Sequence, residues 1–185
     1  MPHDMVIATF DDHKKADAAV SKLIEEGFDM SHFSVVGKGY HTEEKIIGFY
    51  NLGERMKLWG KYGAFWGGLW GVLVGGAFFS LPVIGPVVVL GPLALAVVAV
   101  IEGALEGAVV IGGLTALGAA FFSFGIPKDS VIRYETAVKA DGFIVSAHGP
   151  AAEIERARAV LHNAGPSSVD VHRGLVAGTT EQQLA

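Results

Sequence analysis

Seven histidines and no cysteine set the side-chain chemistry available to this 185-residue chain. Without thiols there is no disulfide, no thiolate nucleophile, no iron–sulfur cluster and no Cys-based zinc site. Four of the imidazoles stand at the ends of segments that read as strands: His3 and His32 precede two of them, and His148 and His172 end two others. Neutral imidazole binds transition metals and titrates near physiological pH. A sheet that gathered these four would carry a metal or pH-sensing patch; the competing reading is four solvent-exposed edge histidines with no shared geometry. The second constellation is Glu102 and Glu106, an i,i+4 pair with no Lys or Arg close in sequence. Carboxylates in apolar segments face a bundle interior, a cavity or an interface. The pair is therefore either an ion or proton relay or a turn that reaches headgroups or the solvated inside of an oligomer. No Walker loop, dinucleotide fingerprint, Gly-x-Ser-x-Gly elbow or His-Glu-x-x-His is present, each of which would carry a defined mechanism. No enzyme activity, cofactor or small-molecule substrate is expected.

The elements that must position these residues lie in two blocks. Met5-Val-Ile-Ala-Thr-Phe10 reads as a buried strand, and Asp11-Asp12 offers a helix N-cap. Ala16, Ala19, Val20, Leu23 and Ile24 recur on one helical face, Gly27 ends the helix, and Phe33 to Gly37 is a second strand. Residues 128–140 form a short helix capped by Asp129 or Ser130. Phe143 to His148 is a strand, Pro150 opens the next helix, and that helix buries Ile154, Ala157, Leu161 and Ala164. Val169 to His172 alternates as a last strand with Val inward. Two strands and one helix cannot bury a core alone, so the halves are expected to join. The expected fold is α+β: a ferredoxin-like βαββαβ domain built from residues 1–38 and 141–173. A connecting segment (39–62) and a long apolar insertion (63–127) separate strands 2 and 3, and 174–185 reads as a flexible tail.

The insertion dominates the composition. The chain has 14 basic and 19 acidic residues, a net charge of −5 and only 18% charged residues, against about a quarter in a typical soluble domain. That balance argues against a nucleic-acid partner. From Gly63 to Pro127 only Glu102 and Glu106 are charged, so the other 120 residues have an ordinary soluble composition. No signal peptide is read at the N-terminus, because its first apolar run is too short. Gly63, Gly67, Gly71 and Gly75 recur every fourth residue, as do Ala104, Ala108, Gly112, Ala116 and Ala120. On helices such stripes let two backbones approach closely, and the two are expected to mate as a Gly-zipper helical hairpin with helix running from Leu93 to Phe124. Glycine and alanine abundance typical of membrane helices is the alternative explanation, but four consecutive matches at one spacing favour packing.

A membrane span needs about 20 apolar residues, so length alone allows two or three crossings. If the flanks form one domain, both ends of the insertion lie on one side and only an even number survives. Arg55, Lys57 and Lys61 before the block, with Lys128 and Arg133 after it, place the flanks in the cytoplasm. A soluble chain would have to bury the block between subunits.

Gly39-Tyr40-His41, Trp59-Gly-Lys-Tyr-Gly-Ala-Phe-Trp-Gly-Gly-Leu-Trp-Gly71, Leu105-Glu-Gly-Ala-Val-Val110 and Gly125-Ile-Pro-Lys-Asp-Ser-Val-Ile-Arg-Tyr-Glu135 carry a resemblance. The chain is similar, from about Val6 to His172, to a bacterial family of general stress or heat-induced proteins, often described as predicted membrane proteins. The resemblance implies a membrane-associated stress protein and supplies no catalytic residue. The expectation is a non-catalytic, homo-oligomeric stress protein in contact with membrane lipid, in the inner membrane with both soluble halves cytoplasmic. A cytoplasmic ring or shell with hairpins buried between subunits is the alternative, and a small channel or transporter using Glu102 and Glu106 is the third.

Overall fold

In the computed structural model the described residues are 3–38, 78–81, 84–105 and 115–175. Strand β1 (His3–Phe10) is buried continuously from Met5 to Phe10, the pattern of a strand covered on both faces. Helix α1 (His13–Glu25) starts at Asp12, whose side chain accepts the Lys14 backbone N–H at 2.8 Å, and buries Ala16, Ala19 and Leu23. A single 3-10 turn (Met30–His32) leads into β2 (Phe33–Lys38). There follow β3 (Phe78–Leu81), β4 (Gly85–Leu90), α2 (Pro92–Leu105), α3 (Ala116–Ser123), α4 (Lys128–Lys139), β5 (Phe143–Gly149), α5 (Ala151–Asn163) and β6 (Ser168–Leu175).

The strands form one mixed-connection, antiparallel sheet in the order β3-β4-β2-β5-β1-β6. Alternate residues face opposite sides, and each side has its own core. Val6, Ala8, Phe10, Val35 and Val145 pack with Ala16, Leu23, Ile154 and Leu161 of α1 and α5. Met5, Ile7, Val36, Val87, Val89 and Ile144 pack with Leu93, Val97, Leu117, Phe121, Tyr134 and Val138 of α2, α3 and α4. The molecule is thus α+β, as the sequence indicates, with a sheet between two helical layers.

The insertion departs from the helical hairpin expected over 63–127. Residues 78–81 and 85–90 are strands, joined as an antiparallel pair and added to the free edge of β2. The β-branched run Val87-Val88-Val89 suits a pleated surface, and Gly91, at φ +85°, ends it. A Cβ at Gly91 would overlap the backbone of Phe33 and Ser34, so only glycine lets the chain turn this close to β2. The expected continuous helix from Leu93 to Phe124 is also broken. α2 ends at Leu105, and α3 begins afresh at the N-cap Thr115, whose side chain accepts the Gly118 N–H at 3.3 Å. Among the described residues no helix is long and apolar enough to cross a membrane. α4 starts after Pro127 with no side-chain cap; Asp129 lies in its first turn, where a negative charge suits the helix dipole. Gly174 and Leu175, read as tail, belong to β6, and Leu175 packs on the core.

Candidate functional site

The chain leaves β2 at Lys38 and enters β5 at Phe143, and the histidines lie at the opposite end of these strands. Register sets Met5 between His148 and His172 and pairs Phe33 with Ala147, which brings His32 beside His148. The His32 and His148 ring centroids are 5.5 Å apart in an edge-to-face arrangement. The Nδ1 of His32 is shielded from solvent and has no hydrogen-bond partner; its nearest acid is Glu153 Oε1 in the first turn of α5, at 3.8 Å. An unmet buried polar atom costs about 1–3 kcal/mol. Burial holds the His148 imidazole below its ordinary pKa; charge on His32 and His3 pushes the same way, and Glu153 opposes.

His172 stands apart from these three. Its Nε2 is 2.7 Å from the Tyr134 hydroxyl, which donates to Asp170 Oδ2 at 3.1 Å. A phenol has one proton, so with that proton on the Asp170 bond the His172 Nε2–H donates to the phenol oxygen. Arg133 lies 3.5 Å from the same Asp170 oxygen. Burial lowers the His172 pKa, against the pull of Asp170. Burial, and then the Asp170 charge, raises that of Tyr134, so the phenol stays protonated near neutral pH. The cluster pins α4 to the edge strand β6. The four histidines therefore share one end of the sheet but not one geometry: His3, His32 and His148 form one group and His172 another. Among the described residues no three His, Asp or Glu side chains are placed to hold a metal ion.

A third polar group is Glu135, which is almost wholly buried. Its Oε1 accepts the Thr115 backbone N–H at 2.9 Å and the Thr115 hydroxyl at 2.5 Å, which offsets the penalty of burying the acid. A Cβ at Gly118 would overlap that carboxylate, so α3 meets α4 through a glycine. Neither Glu135 nor Tyr134 was expected from the sequence. Alternation with Val169 and Val171 puts Asp170 and His172 on one face of β6; no local pattern points to their partner on a distant helix.

The remaining sequence candidates are dispersed. Glu102 is exposed in the single chain, because α2 turns that face away from the sheet; Glu106 lies outside the described residues. Leu95 (69% exposed), Ala99 and Glu102 follow one another at i, i+4 and i+7 along this outer face, opposite the buried Leu93, Ala94 and Val97. Ala116 is partly buried against the molecule's own core. Ala104 falls in the last turn of α2. Gly63, Gly67, Gly71, Gly75, Ala108 and Gly112 lie outside the described residues. Comparison of the chain with protein-family models, with curated proteins and with solved structures finds no match.

Proposed function

We propose that this chain is a non-catalytic stress-response protein that works by self-assembly, with its apolar insertion buried between copies of itself. The strand order β2-β5-β1-β6, antiparallel throughout, supports reading its body as a ferredoxin-like βαββαβ unit split between β2 and β5. The observation that carries the proposal is α2. This helix has one charged residue, Glu102, and its inner face packs on the sheet, yet Leu95 is 69% exposed on its outer face. A helix apolar all round is normally covered all round. Chain length argues against lipid crossing as the cover. β2 and β3 belong to one sheet, so residues 39–77 start and finish at the same body. Their apolar part, 63–77, has fifteen residues, short of even one span of about 20.

A second reading keeps the membrane. The same outer face and the resemblance to membrane-associated stress proteins support contact along a bilayer surface. The relay reading of Glu102 rests on the sequence pattern alone. Detergent-free fractionation of the full-length chain separates these possibilities. A multi-copy particle in the soluble fraction is expected. Sedimentation with membranes and release by alkaline carbonate favours the surface reading, and retention after carbonate would overturn both by requiring a span.

A further inference from the structure

We propose that His3, His32 and His148 form an acid-sensitive latch on the start of β2 and, through β2, on the apolar helix α2. This rests on the self-assembly reading only for its biological use, since the latch itself is a property of the fold. His32 immediately precedes β2, and its ring meets that of His148 on β5. Two residues further on, the buried Ser34 hydroxyl accepts the Leu93 backbone N–H at 3.1 Å, one of the unpaired donors in the first turn of α2. Gly91, just before α2, sits against the backbone of Phe33 and Ser34. The first three residues of β2 therefore connect the imidazoles directly to the anchor of α2.

A neutral His148 imidazole tolerates this crowding; burial and the charge of its neighbours disfavour its cation. The charged and titratable groups facing His148 are His32 from the turn, His3 from β1 and Glu153 from α5. Asp4, the next acid on β1, is engaged by the Gly174 N–H at 2.9 Å. One proton on His32 gives its orphaned Nδ1 a donor role toward Glu153. Asp29, the acid that caps the turn, also faces His32, so His148 is the ring whose cation meets opposition, from the charge of both His32 and His3. Burial of His148 adds to that penalty. Acid thus favours any opening that separates the turn at His32 from the end of β5, and such opening exposes the Ser34–Leu93 bond.

Amide hydrogen exchange on the full-length chain, corrected for intrinsic rates, tests this. Between neutral pH and about pH 5.5 the Leu93 and Val35 amides are expected to lose protection by about two- to fivefold. Amides of α1 should change less. In His148→Gln and His32→Gln the acid-induced loss should shrink by a similar factor, whereas His172→Gln should leave it intact. An equal loss in wild type and His148→Gln, or no loss at Leu93, would overturn the latch. Because exchange is read within each chain, failure here is distinguishable from failure of self-assembly, which alters particle mass. If His148→Gln weakens the fold globally, Glu153→Gln supplies the independent check: removing the acid that favours the His148 cation should increase the acid-induced loss.

Discussion

The two faces of the sheet are built on different principles. On one, α1 and α5 are amphipathic: Ala16, Ala19, Leu23, Ile154, Ala157 and Leu161 point inward, and the outer surfaces carry ion pairs such as Lys15–Asp11 and Arg158–Glu155. Arg156 crosses between the two helices to the Glu26 carbonyl and lies over the Phe28 ring. That layer is finished by water. On the other face, α2 and α3 contribute one charged residue among them, Glu102, and α2 turns Leu95 outward. Among the described residues α4 is the amphipathic helix there, and it bears Glu135 and Tyr134 with their polar partners. One layer closes a core against solvent; the other closes a core and presents a second apolar surface.

The largest effects should come from testing whether both layers belong to one cooperative unit. Phe121→Ala in the α2–α4 layer is expected to destabilise the chain by about 3–5 kcal/mol, and Leu23→Ala in the α1–α5 layer by about 2–5 kcal/mol. Both should shift the single main transition in urea. A main transition unmoved by Phe121→Ala would make the apolar layer a separate body. Tyr134→Phe removes the hydroxyl that serves Asp170 and His172 and should cost about 1–2 kcal/mol, read from the same denaturation curves. A neutral result would mean that α4 is held by packing alone.

The pH response is smaller and its sign is fixed. His148 and His172 both have folded pKa values below the ordinary 6.5. Below pH 6.5 the unfolded chain therefore binds more protons than the folded one. Their contribution is fully favourable above about 6.5 and is lost as pH falls from there toward the folded values. Denaturation midpoints should drop over that window, and His172→Gln should flatten part of the drop. A midpoint that rises on acidification would contradict the assignment of both imidazoles as buried neutral groups.

The same contrast explains what could be read in the sequence. α1 and α5 carry a clear helical period bounded by Asp12, Gly27, Pro150 and Gly165, so the finished layer was legible. In the insertion nearly every residue is apolar, and periodicity cannot separate a buried strand from a helix there. Thus β3, β4 and the fresh start at Thr115 were not legible, although Val87 to Val89 and the threonine were the available signals. That the four histidines share one end of the sheet follows from the polarity of the strands. The separation of His172 depended on Tyr134, a contact across 38 residues that no local pattern encodes.

The smallest expected change in stability accompanies the most direct test of the self-assembly proposal. Leu95→Glu alters an exposed side chain and should move the denaturation midpoint by no more than about 0.5 kcal/mol. Sedimentation in detergent-free buffer should then show the wild-type chain as a multi-copy particle and the variant as a markedly smaller one with the same unfolding curve. Identical masses for the two, whether large or monomeric, would contradict the assignment of the outer face of α2 as the surface through which copies meet.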